Sequence, residues 1–198
     1  MRLYDMTLSG NCYKVRLFLG MIGQQAELCS IDLRAGEQKR AEFLAINPRG
    51  QIPALVDGDM KLGDSQAILV YLARRYADEH WDPLDAVSQG RIASWLSFAA
   101  NEILYGPATA RVGKLFGLPI DTAAVHQKAL AALQLLDNHL VTHTWLAEGA
   151  QPSIADIAVY PYAALAGDGG IDLTPYTHLN AWFARIRELP GYFGMPGL

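Results

Sequence analysis

The sequence predicts a small α/β domain built on a mixed four-stranded sheet, followed by an all-helical bundle. Three observations carry that prediction. Strand and helix patterns alternate over the first 77 residues. A polar stretch containing Pro83 then interrupts them, and beyond it no strand pattern recurs. The expected domains are therefore 1–77 and 87–198, and the 198 residues suffice to give each a core.

Arg2 to Met6 reads as a short strand entering the turn Ser9-Gly10-Asn11. From Tyr13, the apolar residues Val15, Phe18, Leu19 and Ile22 recur at helical spacing, and Gly23 offers a stop. Ala26 to Leu33 reads as a second strand, and a strand-helix-strand unit implies a parallel pair. Phe43, Leu44 and Ile46 suggest a short helix that ends at the Asn47-Pro48 step, since a residue before proline avoids the helical region. Ala54-Leu55-Val56, the turn Asp57-Gly58 and Met60-Lys61-Leu62 form a hairpin signal. Ile68, Tyr71 and Leu72 mark one face of the helix after it. In the second half, one stripe runs Ile92, Trp95, Leu96, Ala99, Ile103 and a second Val125, Ala129, Ala132, Leu133, Leu136, Leu140. A third, Leu179, Trp182, Phe183, Ile186, closes at Pro190-Gly191.

Composition narrows the function classes. With 51% hydrophobic and 18% charged residues this is an ordinary folded chain, and at net charge −4 with no basic run it is a poor nucleic-acid partner. No apolar run approaches the ~18 residues that a membrane span needs, and the opening MRLYDMTLSG does not read as a secretory signal. Only Cys12 and Cys29 occur, outside CxxC spacing, so neither a disulfide framework nor a cysteine-rich metal site is suggested. A cytoplasmic protein is expected.

Three segments carry chemistry. Ser9-Gly10-Asn11-Cys12-Tyr13-Lys14 lies at a strand-to-helix turn, where small polar residues cap the helix and leave N–H groups and a partial positive charge facing any anion. In Asn47-Pro48-Arg49-Gly50-Gln51-Ile52-Pro53, a proline just before a strand can open it beside a cleft. A cis Ile52-Pro53 peptide would turn the Ile52 backbone outward to pair with an extended peptide. In Asp64-Ser65-Gln66-Ala67-Ile68, Ser65 and the helix start suit a carboxylate, and Asp64 suits an ammonium. Together they fit an amino-acid head group, although each segment alone is also an ordinary cap or turn.

In this order and spacing the three segments resemble the glutathione transferase superfamily, over nearly the whole chain. NPRGQIPAL resembles the segment before the family's cis-proline, and DSQAI its acidic-Ser-x-Ala-Ile segment, with Asp for the commoner Glu. Ser153-Ile154-Ala155-Asp156 with Tyr160-Pro161 resembles the family's buried N-capping box. The active-site turn is similar to that of bacterial serine- or asparagine-type members of theta, zeta or nu kind. The resemblance implies a thioredoxin-like first domain that binds glutathione as co-substrate, without a metal, and a second domain that lends an apolar pocket to a small hydrophobic electrophile. It also implies a homodimer acting in detoxification.

By position, the resemblance places Asp64 and Ser65 at the γ-glutamyl end, Ile52 and Pro53 at the cysteinyl residue, and Gln51 and Lys39 along the remaining tripeptide. Ser9 would hold the thiolate with Asn11 assisting. Cys12, at the same helix start, is the alternative, with a lowered pKa and mixed-disulfide chemistry. Conjugation, disulfide reduction, isomerisation and a non-catalytic binding module all remain open at this stage. Tyr4, Trp95, Trp182, Phe183 and Cys29 read as core, and His139 with His143 as a solvated helix face. Tyr105 and Arg111 fall late in what reads as one long first bundle helix, near the family's electrophile pocket.

Overall fold

The computed structural model describes residues 1–198. Four short strands, β1 (Arg2–Asp5), β2 (Glu27–Ser30), β3 (Ala54–Asp57) and β4 (Met60–Gly63), form one sheet in the order β2-β1-β3-β4. β1 pairs parallel with β2 and antiparallel with β3, and β3 pairs antiparallel with β4. The expected mixed sheet is present, with β2 shorter than the Ala26–Leu33 pattern. Helices α1 (Gly10–Met21) and α3 (Ser65–Tyr76) pack together on it, and the single turn α2 (Ala41–Leu44) precedes the Asn47 loop.

The C-terminal half holds α4 (Ala86–Ala100), α5 (Thr109–Phe116), α6 (Thr122–Leu140), α7 (Ile154–Ala164) and α8 (Thr177–Arg187). Where the sequence reads one long helix through Tyr105 and Arg111, the structure breaks after α4. A π-type turn at Leu104–Ala108 contains Pro107, and a new helix, α5, follows. The chain leaves the helical region at Asn101 (φ −116°, ψ −82°), and the π-type turn beyond it accommodates Pro107, which lacks the N–H that a regular helix needs. Gly106 stands against α6, where a Cβ would come within 2.9 Å of the Ala129 backbone.

The middle of the molecule is α7. Every residue from Ile154 to Ala163 is buried, so it shows a continuous apolar run and no stripe. Its N-terminus is the capping box that the sequence announces: Ser153 Oγ accepts from Ala155 N (3.2 Å), and Asp156 Oδ2 accepts from Ser153 N (2.9 Å). The other oxygen, Oδ1, accepts from Leu146 N (3.0 Å) and Trp182 Nε1 (2.9 Å). One carboxylate thus ties α7 to α8 and to the loop before it. Because α7 packs on α1 and α3 as well as α4, a single apolar cluster runs from Leu3, Phe18 and Leu55 through to Leu136, Ile157 and Ile186. The bundle can therefore reach the α1 turn.

Candidate active site

The starts of α1 and α3 meet. Ser9 is the N-cap of α1, its Oγ accepting from Cys12 N (3.2 Å). That bond occupies an oxygen lone pair and leaves the hydroxyl proton free to donate to an anion. Asp64 caps α3, its Oδ1 accepting from Gln66 N (2.9 Å) and Ala67 N (3.2 Å). Asp64 takes φ +84°, a value that side-chain-bearing residues rarely adopt and that concentrates at functional sites. Ser65 Oγ lies 2.6 Å from Gln66 Oε1 and 3.4 Å from Asn11 Oδ1, so Asn11 bridges the two helix starts. The cleft thus presents two hydroxyls and two helix N-termini on one side, and a carboxylate whose Oδ2 is 3.7 Å from the exposed Arg49 guanidinium.

The Asn47 loop forms the facing wall. Buried Asn47 donates from Nδ2 to Gln51 O (2.6 Å) and accepts at Oδ1 from Arg49 N (3.2 Å). Gly63 lets it lie there, because a Cβ at that position would stand 2.5 Å from Asn47 Nδ2. The Ile52-Pro53 peptide is cis. Ile52 precedes β3, outside the register that pairs Ala54 to Val56 with β1. Gln51 is exposed, and Lys39 reaches Gly50 O through Nζ (3.3 Å). Segments that are distant in the chain, at 9–14, 47–53 and 64–68, are therefore brought side by side.

The bundle closes this cleft from below. The ring of Tyr162, on α7, lies so near α1 that a Cβ on Gly10 would meet it at 2.7 Å. Its hydroxyl faces the Asn11 backbone and the Ser9 side chain, and burial raises its pKa. Arg111, on α5, is 2% exposed and donates from Nη1 to Leu8 O (2.9 Å) and from Nε to Asp168 Oδ2 (2.9 Å). It fixes the carbonyl just ahead of Ser9. A separate surface cavity of about 500 Å³, between α5, α6 and the turn at Gly169, shares no residue with the three cleft segments.

Comparison with known proteins decides the family. Residues 3–80 match the glutathione S-transferase N-terminal domain, and residues 117–190 match the C-terminal domain. Glutathione S-transferase 3 of Zea mays is 34% identical, over 97% of this chain and 91% of its own length. The chain belongs to the glutathione S-transferase family. Human glutathione S-transferase theta-2 is also 34% identical, over 89% of this chain and 76% of its own. The crystal structure of a Pseudomonas fluorescens glutathione S-transferase superposes with a TM-score of 0.92 at 32% identity, covering 98% of each chain. These likenesses make the thioredoxin-like fold with a helical second domain a property of this chain.

Several expectations change within this transferase fold. Cys12 is fully buried, and burial pushes its thiol up to about 12, the reverse of the lowered value expected at a helix start. The helix turns Cys12 inward to the core, away from the cleft that Ser9 and Asn11 line. Cys29 and Tyr4 are half-buried instead of core, because β2 is an edge strand and Tyr4 faces Phe43 edge-on at its side. Tyr105 is exposed, whereas Arg111 is the buried clamp described above. Trp95 is half-buried, packed against His139, whose ring stacks on His143 at 4.3 Å.

Tyr162 and Lys14 take no role from the sequence pattern, although Lys14 closes the Ser9–Lys14 segment. Tyr162 has no local signal, since α7 is apolar throughout. Lys14 has one: a lysine inside a helix that is otherwise buried at Cys12, Tyr13, Val15, Leu17 and Phe18.

Proposed function

We propose that this family member is a glutathione transferase of serine type, acting in the cleft between the starts of α1 and α3. Asp64 receives the ligand's α-ammonium, Ser65 and the α3 N–H groups its α-carboxylate, and Ile52 beside Pro53 the backbone of its cysteinyl residue. Gln51 and Lys39 face its glycyl end. That leaves the thiol at Ser9, with Asn11 holding the turn. The supporting observation is that Asn11, two residues after Ser9, reaches Ser65 at the start of α3, while Ser9 Oγ accepts from Cys12 N at the start of α1.

An ordinary thiol titrates near ~8.5, so a downward shift of about two units requires ~2.7 kcal/mol of preferential thiolate stabilisation. A hydroxyl donor and a helix N-terminus together supply energy of that order. The thiolate then attacks an electrophilic carbon, a C–S bond forms, and the leaving group departs with its electron pair. No enzyme-bound covalent intermediate is involved. The deeply buried thiol of Cys12 weighs against the disulfide-reductase reading.

The same proposal takes 1–77 as the glutathione-binding unit and 87–198 as the electrophile-binding unit. It also takes the protein to be a cytoplasmic homodimer with a detoxifying role, and no helix is long and apolar enough to cross a membrane. The test is the rate of conjugation of glutathione to an activated aryl halide, beside calorimetric titration with glutathione. Saturable turnover that falls at least tenfold in Ser9→Ala supports the assignment. Tight binding with no turnover on any electrophile class would leave a binding module instead.

A further inference from the structure

Lys14 is 1% exposed, yet its ammonium makes no ion pair and no hydrogen bond, whereas a buried charge is ordinarily matched by one of the two. The nearest organised feature is the ring of Tyr162, whose centroid lies 5.5 Å from Nζ. That ring abuts Gly10, and its hydroxyl faces Ser9 and Asn11. The side chain therefore lies beneath the turn that is read above as the thiol site, separated from it by one aromatic ring.

Charged and titratable groups of every neighbouring element bear on this location. Asp64 at the start of α3 acts on Lys14 from a distance but is taken up by its own cap and by Arg49. On α7 only Tyr162 faces it, with its proton retained. Arg111 from α5 is paired with Asp168. On α1 itself, Cys12 stays protonated and Arg16 is paired with Asp5 of β1. Each of these partners is otherwise engaged or neutral, so the amine is left without a fixed counter-ion.

We propose that Lys14 is a positioning residue for the thiolate, a buried cation whose counter-charge arrives only when bound glutathione ionises at Ser9. The inference rests on the glutathione reading above. Burial lowers this amine to about 7 against an opposing pull from Asp64, which brings its titration near neutral pH in the free protein. The two ionisations then support each other. As the thiol loses its proton the amine takes up the fraction of a proton that it lacks, and the site moves towards a thiolate facing an ammonium. For charges ~7 Å apart at an effective dielectric of ~20, the mutual shift is between about one and two pH units.

The test uses glutathione and S-methylglutathione, which has no ionisable thiol, with wild type and Lys14→Met. Both proteins should bind S-methylglutathione alike, within about twofold, because the head-group contacts do not involve Lys14. The thiolate absorbance of bound glutathione should titrate between about one and two units higher in Lys14→Met. In wild type with isotope-labelled lysine, the Lys14 resonance should titrate near neutral pH and move upward by a comparable amount with glutathione. It should not move with S-methylglutathione. An unchanged thiolate midpoint in Lys14→Met, or an unmoved lysine resonance, overturns the proposal while leaving the glutathione site intact. Failure of wild type to bind either compound at millimolar concentration overturns the site reading and the proposal together.

Discussion

Replacing Arg111 with Met removes the guanidinium while keeping most of the apolar length of the side chain. Two bonds go with it, Nη1 to Leu8 O and Nε to Asp168 Oδ2, each 2.9 Å long. The first is a charge-assisted bond at a half-buried carbonyl, worth about 1.5–3 kcal/mol. The second involves a carboxylate that is 34% exposed and can rehydrate, so screening reduces its share to about 1 kcal/mol or less. The expected loss is therefore about 3 kcal/mol, below the 3–5 that a sealed pair would give and equivalent to a fall in Tm of about 6–12 °C for a chain of this size. The assay is urea unfolding followed by circular dichroism. Asp168→Asn and the double variant complete the cycle and should return a coupling of about 1 kcal/mol or less. Because Leu8 precedes Ser9, Arg111→Met should also weaken glutathione binding. A stability change under ~0.5 kcal/mol with unaltered glutathione affinity would refute the view that the bundle holds the turn through this residue.

Asp156→Ala leaves the Leu146, Ser153 and Trp182 N–H groups buried without an acceptor, so denaturation should show a loss of about 4 kcal/mol. Ser153→Ala, a single cap deletion, should cost about 1 kcal/mol in the same assay. Lys14→Met should be more stable than wild type at pH 6. A lysine whose folded pKa is lowered makes the folded state bind fewer protons, so wild-type stability should recover as pH rises from about 7 towards 10.5. Cys12 has the opposite sign. Its folded pKa is raised from 9.0 to about 12, so its contribution is complete below pH 9 and is lost between about 9 and 12. Mass spectrometry after iodoacetamide treatment of the native protein at pH 8 should find Cys29 modified and Cys12 untouched.

What the sequence discloses follows from how local the cause is. The β3–β4 hairpin, the caps Ser9 and Asp64, and the Ser153–Asp156 box are decided by residues within four positions of one another. The caps and the box stand where their patterns put them, and the hairpin turn lies one residue on from Asp57-Gly58, at Gly58-Asp59. The break between α4 and α5 falls at Asn101, and the apolar stripe from Ile92 to Ile103 hides it by running across that residue without a change of phase. The cleft is legible only as three segments. Nothing near Lys14, Arg111 or Tyr162 tells that α5 and α7 bring them to the start of α1. That placement depends on packing between residues about a hundred or more positions apart. The direction of Cys12 is lost for the same reason. A helix start favours a thiolate, but the helix faces the core one residue after Asn11 faces the cleft.

The central claim, that Ser9 turns bound glutathione into a thiolate, is tested most directly by following the ultraviolet thiolate band of the bound tripeptide across pH in wild type and Ser9→Ala. The account predicts a midpoint about two units below the free thiol in wild type and a clear rise towards the free value in the variant. A midpoint equal in the two proteins, or no shift in wild type at saturating glutathione, would contradict it.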